Sequence, residues 1–579
     1  MFAVCAAAVI ALIVVGAIFL FHGGDSSGRG SDSSTGSGQS VGSSVSKTTQ
    51  SSTDSTSSAS TTGSDHEPSD STTSTVPGIN MSVRATAETS PEAFSITTKI
   101  FRGTTQISSF QRQNTIFFGP GRDYTNLEGI VTFRGNNYRE GASYGQVVVE
   151  QAKLTTVWSA NTGSVAKATG TGSWTGSGWT GQPLIVKWPA DIKAVMNIKA
   201  DKKAAPDLTE VIYPCLDGNI HFLDLKDGSR TRETIVSGGG PFKGTGSLYP
   251  DGTPLLFVGH GDNSPGKESV RSRLYSLIDQ KLLYTFGRSK DPNAYRSFHA
   301  YDSSALFDVE SDTIIEPGEN GLLYTIRLNT QFDKKAGTLS ISPGQAIKVN
   351  YTAPNYSNGA GNTPSTRWWG MEDSAVIWQN YLYVAENGGK FMCFDLNTME
   401  LIWVQDVLDD TNSTPIFEES PEDGTCYLYI STSLHITRKG AADPRRGGIP
   451  IWKIDAATGE IVWETPMYDC YTVSGVSGGV QATPVLGKED IADLVIYAIA
   501  RTPNVESGIL VALDKRTGRE VWSTGFDHYS WSSPLALYTP QGKSYIVLCD
   551  SIGNMFLLEG TTGKVLDSLN LGTNIEASP

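Results

Sequence analysis

The residues of this chain that could do chemistry do not fall into a catalytic constellation. His260 and Asp262 form one His-x-Asp pair, followed by Asn263, whose nitrogen and oxygens could hold a cation. Six cysteines stand at 5, 215, 393, 426, 470 and 549, with none adjacent and no Cys-x-x-Cys spacing. That pattern argues against a zinc or iron–sulfur site and against a disulfide framework. Those at 215, 393, 426 and 549 lie in apolar runs and read as buried free thiols. No Ser-His-Asp order, paired-carboxylate motif or phosphate-cradling glycine loop stands out. What remains is a set of aromatic and charged residues in Gly- and Ser-rich loops. It comprises Trp174, Trp179, His299, Asp302, Arg367, Trp368, Trp369, Glu372, Asp373, Gln481 and Trp531, with Arg438, Arg445 and Arg446 in a long insertion. Gathered in one place, they suit a concave site for a sugar, a peptide or an aromatic small molecule. Their alternative use is architectural, with tryptophans plugging a channel and charges facing solvent.

The elements that would gather them repeat. Ile451–Asp455 is followed by AATGEIVW, Leu510–Asp514 by KRTGREVW and Phe391–Asp395 by LNTMELIW. Degenerate copies surround Asp224 and Glu559, and weaker ones end at Ile278 and Arg327. In the good copies an apolar strand ends at Asp395, Asp455 or Asp514, and a tryptophan follows eight residues later at Trp403, Trp463 or Trp522. Gly459 and Gly518 stand four residues after the acid, where Met399 replaces glycine in the third copy. The acid accepts backbone N–H groups in a turn, glycine takes the positive φ, and the tryptophan on the returning strand docks on the next unit. A second glycine, at 218, 321, 389, 508 and 553, marks an earlier hairpin. Inner strands open on small-small-Pro signals, as at Ser413-Thr414-Pro415, Ala482-Thr483-Pro484 and Ser532-Ser533-Pro534. Four strands per 45 to 68 residues, seven times over, predict an all-β propeller of four-stranded antiparallel blades. Loops before inner strands, and loops joining second to third strands, then converge at one mouth, which collects the residues named above.

The ring is expected to close at eight. Leu154–Trp158 with Thr162-Gly163 matches an outer strand, and Ala577-Ser578-Pro579 matches the start of an inner one. The two middle strands of that eighth blade are missing. Either residues 95–135 fill the gap or the chain stops roughly 25–30 residues short of a closed ring, which a sheet with raw edges would otherwise expose.

At these residues the chain resembles the pyrroloquinoline-quinone-like eight-bladed propellers. The D-x-x-T-G-x-x-x-W pattern of 455–463 and 514–522 is similar to their tryptophan-docking repeat, and Trp158 fits the same role. Thr132-Phe133-Arg134-Gly135-Asn136 looks like the lead-in such domains carry. The resemblance covers about 130–579. It implies one of two functions. The BamB-like branch implies a non-catalytic protein that docks partners. The quinoprotein branch implies an oxidoreductase with the quinone and calcium, beside a vicinal disulfide that this sequence lacks. The expectation is therefore a binding or scaffold protein for a protein or cell-envelope partner, with no cofactor and no metal. The alternative is a quinone-dependent oxidoreductase, or another enzyme using the funnel.

Ahead of the propeller, residues 2–21 are apolar or small and uncharged, long enough to span a bilayer as an uncleaved signal anchor. Residues 22–78 are rich in Ser, Thr and Gly and read as a disordered tether reaching roughly 40 Å. Residues 79–129 are transitional. The expected location is a single-pass cell-membrane protein with its propeller on the extracytoplasmic side. With 45 Lys+Arg against 60 Asp+Glu, the formal charge of −15 lacks the basic footprint of a nucleic-acid partner.

Overall fold

Seven antiparallel sheets of four or more strands, with three two-stranded ones beside them, are formed by the described residues in a computed structural model. It describes residues 81–168, 171–262, 270–287, 291–353, 368–420, 424–435, 446–473 and 476–579. The anchor at 2–21 and the whole tether at 22–78 lie outside these residues, as do Asn263, Arg367, Arg438 and Arg445. No helix among the described residues is long and apolar enough to cross a membrane.

Each blade follows the chain outward from its inner strand. Blade 2 runs Ser247–Leu248, Leu255–Gly259, Ser272–Ser276 and Leu282–Phe286. Blade 4 runs Val376–Trp378, Tyr381–Ala385, Lys390–Asp395 and Glu400–Asp406. Blade 5 starts at Ile416–Glu419 and blade 7 at Leu535–Tyr538, on the same four-strand pattern. Blade 6 starts at Val485–Leu486 and gains Ser433–Leu434 and Gly478–Gly479 beside its second strand. Blade 1 is built on Leu184–Lys187 and blade 3 on Leu306–Asp308. The segment before residue 130 joins them: Glu128–Ile130 pairs with Leu184–Lys187, and Thr97–Arg102 with Thr105–Ile107 extends blade 3 beyond Ile347–Thr352.

The turns form as the residue types require. Asp455 Oδ1 accepts the N–H of Ala457 at 2.7 Å and of Thr458 at 3.1 Å. Asp395 Oδ1 does the same for Asn397 at 2.7 Å, and Asp514 Oδ1 for Thr517 at 2.7 Å. Met399 adopts φ 61° where its relatives have glycine, so the turn survives the substitution. The outer strand pair of blades 2, 4, 5, 6 and 7 carries a register shift just before that turn, a bulge that tightens the local twist.

Tryptophans clasp blade to blade. The buried Trp403 indole donates to Ala456 O at 3.2 Å and lies over Gly459, and Trp463 donates to Lys515 O at 2.9 Å over Gly518. Trp522 faces Gly563 in the same way. Between them the core is aromatic-rich, with Trp378, Tyr383, Trp403, Phe417 and Trp452 in one cluster spanning blades 4 and 5.

Residues 131–140 form an axial plug whose hydrogen bonds reach all seven blades. Arg134 Nη1 donates to Pro534 O at 2.9 Å and Nη2 to Pro484 O at 2.7 Å, while its backbone N–H donates to Gln182 Oε1 at 3.1 Å. Arg139, fully buried, donates to Ala375 O at 2.9 Å and Ser304 O at 2.8 Å. Leu248 N–H donates to Val131 O at 2.7 Å and Phe417 N–H to Tyr138 O at 3.1 Å. Converging carbonyls accept from the terminal guanidinium nitrogens of both arginines, which accounts for buried arginine at 134 and 139.

The expectation of eight blades is corrected to seven. Inner-strand starts are joined blade to blade, as in Ser304 N–H to Ser374 Oγ at 2.9 Å and Thr483 N–H to Ser533 Oγ at 3.0 Å. Ser578 takes an eighth place in that ring, accepting from Ser533 N–H at 3.2 Å and donating its own N–H to Gly181 O at 3.0 Å. Trp158 docks on blade 1, donating to Leu225 O at 2.8 Å over Gly228. These are the two marks that the repeat leaves in sequence. Neither Leu154–Thr162 nor Ala577–Pro579 belongs to a sheet, so the marks show a ring position without a blade.

Candidate functional site

The charged part of the mouth is built by loops from blades 1 to 4, and blades 6 and 7 add Gln481 and Trp531. Trp179 precedes the inner strand of blade 1, Lys243 that of blade 2, Asp302 that of blade 3 and Glu372 that of blade 4. The loops joining second to third strands add Glu319 and Asn387 from blades 3 and 4. One carboxylate oxygen each of Asp302, Glu319 and Glu372 lies within 4.8 Å of the others.

Burial governs their charge. It raises the Asp302 carboxyl, which Lys243 at 3.6 Å partly offsets. It raises Glu319 well above the carboxylate range, helped by the repulsion of Glu372. It pushes Glu372 up to about 8, reinforced by Asp410 and Asp302. For Lys243 burial acts downward, but Asp302, Glu319 and Glu372 together outweigh it and raise the ammonium. Both Asp302 oxygens are buried without a hydrogen bond among the described residues, leaving the lysine as their counter-charge. Glu372 accepts from Asn387 Nδ2 at 3.0 Å, and Asn387 Nδ2 also reaches Asp410 at 2.7 Å. Arg296 donates to Glu319 O at 3.2 Å and Asn387 Oδ1 at 2.5 Å and lies over the Trp368 ring at 4.9 Å.

Aromatic rings close the mouth. Trp179 and Trp531 meet with centroids 5.2 Å apart, tilted at 51°. Lys243 Nζ lies 5.3 Å from the Trp174 ring and 5.5 Å from the Trp179 ring, in reach of both π faces. The cavity beneath is lined by Phe133 of the plug, Trp179, Asp302, Glu372, Asp373 and Gln481. Its room for a water-sized sphere is about 20 Å³, enough for one water or small ion.

The sequence-derived residues therefore divide. Trp174, Trp179, Asp302, Glu372, Gln481 and Trp531 meet at the mouth, and Trp368 stacks on His435 at 5.3 Å beside it. Trp369 turns the other way into the core of blades 3 and 4. His260 is fully buried under Phe242 and contacts Arg273 at 2.8 Å, and burial with that arginine lowers its pKa well below the usual value. His299 Nδ1 meets Ser297 O at 3.1 Å, and burial lowers its pKa. Arg446 pairs with Asp469 on a separate two-stranded sheet of Arg446–Ile449 with Tyr468–Tyr471. Sequence reasoning missed Lys243, Glu319, Arg296 and Asn387. A signal existed for two of them: Glu-Asn-Gly recurs at 319–321 and 386–388, in corresponding loops of consecutive blades.

The fold and repeat define the class: a β-propeller with the pyrroloquinoline-quinone-like docking repeat. Residues 357–526 and 450–578 match the family model described as outer membrane protein assembly factor BamB, placing that repeat in the C-terminal blades. No curated protein matches the chain in sequence. Similar solved structures include quinohemoprotein alcohol dehydrogenase from Comamonas testosteroni, at 13% identity over 78% of this chain and 74% of that one, with a TM-score of 0.48. BamB from Moraxella catarrhalis is 14% identical over 68% of this chain and 92% of that one, with a TM-score of 0.40. The blades themselves, rather than these distant likenesses, define the fold.

Proposed function

We propose that the chain is a non-catalytic binding or scaffold propeller, anchored by residues 2–21 on the extracytoplasmic side of a membrane, whose mouth docks a protein or envelope partner. The observation that carries this reading is the filled axis. Plug residues 131–140 block the channel from below, and Trp179 with Trp531 cover it from above. Among the described residues the room left between them for a water-sized sphere is about 20 Å³, which favours a covered axis over a reaction chamber. The sequence also has no adjacent cysteine pair to form the vicinal disulfide of the quinoprotein branch. The surface above the cavity instead offers the half-buried Trp174 and Trp179, backed by the buried Trp531 and beside Lys243, a chemistry of docking sites rather than of reaction chambers.

The test is retention of partners from membranes of the source cell by the full chain, compared with Trp179→Ala and Trp531→Ala. A partner held by the parent chain and lost by both variants supports the reading. Partner retention unchanged by both removes the mouth from it. Dye-linked alcohol oxidation that depends on added quinone would overturn it.

A further inference from the structure

On the face opposite the mouth, the segment before the plug crosses blade 3 and leaves a cleft of about 380 Å³. Arg102 stands at the end of the added strand Thr97–Arg102, opposite Ile347 in register. Arg327 ends the third strand of blade 3, and Arg112 lies on the crossing segment. No carboxylate lines the cleft, in a chain whose formal charge is −15.

The three guanidiniums are held differently. Arg112 is fixed, with Nε donating to Leu396 O at 3.1 Å and Nη2 to Thr325 Oγ1 at 2.8 Å. Its Nη1 has no hydrogen-bond partner among the described residues, and burial lowers its pKa to about 10, still charged at neutral pH. Arg102 and Arg327 are exposed, and neither has an ion-pair partner among the described residues. With the Asn114 amide turned to offer its oxygen, Arg327 donates to it at 2.7 and 3.1 Å, which orients the guanidinium without neutralising it. The remaining wall is neutral and rich in hydrogen-bonding groups: exposed Gln113 and Gln345, with the half-buried ring of Phe110 beneath Arg112 at 5.2 Å.

We propose that this cleft binds a carboxylate-bearing saccharide, a uronic-acid residue of an anionic polysaccharide. Planar guanidiniums take a carboxylate in paired hydrogen bonds. Side-chain amides offer the alternating donors and acceptors that sugar hydroxyls need. An aromatic ring serves the apolar face of a pyranose, and the volume accommodates one or two rings. The inference is independent of the docking role of the mouth, which lies on the other face.

The experiment titrates the full chain with oligogalacturonate, with a neutral oligosaccharide of the same length, and with inorganic phosphate. Oligogalacturonate is expected to bind and to weaken as salt rises from about 0.05 to 0.5 M, as exposed charge pairs are screened. The double variant Arg102→Gln, Arg327→Gln should weaken it at least about tenfold, the scale of losing charge-assisted hydrogen bonds. Gln345→Ala, which keeps the charge, should weaken it less, and Trp531→Ala not at all. Absence of binding, equal binding of the neutral sugar, full competition by equimolar phosphate, or an unaffected double variant would each overturn the proposal. A loss through Trp531→Ala would do so too, since it would move the ligand to the mouth.

Discussion

Substituting Gly459 with alanine isolates the clasp between blades 4 and 5. A Cβ at Gly459 would lie 2.6 Å from Trp403 Cε3 and 2.7 Å from Cδ2, well inside contact distance, and the backbone there has φ +74°. Two costs add. An L-residue at positive φ loses about 1 kcal/mol relative to glycine. Forcing the buried indole outward adds about 1–3 kcal/mol of overpacking. Gly572 provides the control, with φ +82° and no atom within 4 Å of the added methyl, so Gly572→Ala should show the first cost alone. Gly459→Ala should therefore exceed Gly572→Ala by about 1–3 kcal/mol in denaturant unfolding followed by tryptophan fluorescence. Trp403→Ala should by itself cost about 3–5 kcal/mol, because the ring is wholly buried and donates to Ala456 O. In that background the steric part of Gly459→Ala should vanish, giving a coupling of the same size. Equal costs at Gly459 and Gly572, or a Gly459 cost that persists without Trp403, would refute the indole-on-glycine clasp.

The buried acids of the mouth make two further predictions. Burial holds the Glu372 pKa near 8, above its unfolded value of 4.5, so the folded chain keeps a proton that the unfolded chain releases. Its contribution is present at acid pH and lost as pH rises from about 5 through 8, with a slope of up to about 1.4 kcal/mol per pH unit for one proton. Glu372→Gln should flatten the decline in melting temperature over that window, and an unchanged profile would contradict the assignment. Lys243→Met removes the counter-charge of Asp302 and leaves Glu319 and Glu372 facing it. It should destabilise by about 3–5 kcal/mol at pH 8 and less as pH falls, because burial raises all three carboxyls and favours their neutral forms; equal loss at pH 8 and pH 5 would place the lysine's role elsewhere.

Much of the fold was legible because each blade repeats residues with narrow physical requirements. An acid that caps a turn, a residue at positive φ and an indole that needs a flat partner keep their spacing at 395–403, 455–463 and 514–522. The ring position held by Ser578 and Trp158 was equally legible, but those marks specify docking, not a ladder, which is why eight were expected and seven blades exist. The strands at 97–107 and 128–130 pair with partners far along the chain, and no local period announces them. The site was legible in its aromatics and less so in its charges. Lys243 and Arg296 stand in loops without repeat character, and only the fold brings them to Asp302 and Glu319. Trp368 and Trp369 are adjacent, so one reaches the mouth and the other the core, a choice that the sequence leaves open.

Titration of the purified full chain with pyrroloquinoline quinone and calcium, followed by absorbance and by dye-linked alcohol oxidation, tests the central claim of a filled, non-catalytic axis. The account predicts no saturable chromophore and no turnover. A stoichiometric quinone that supports oxidation, and that Trp179→Ala or Glu372→Gln displaces, would contradict it.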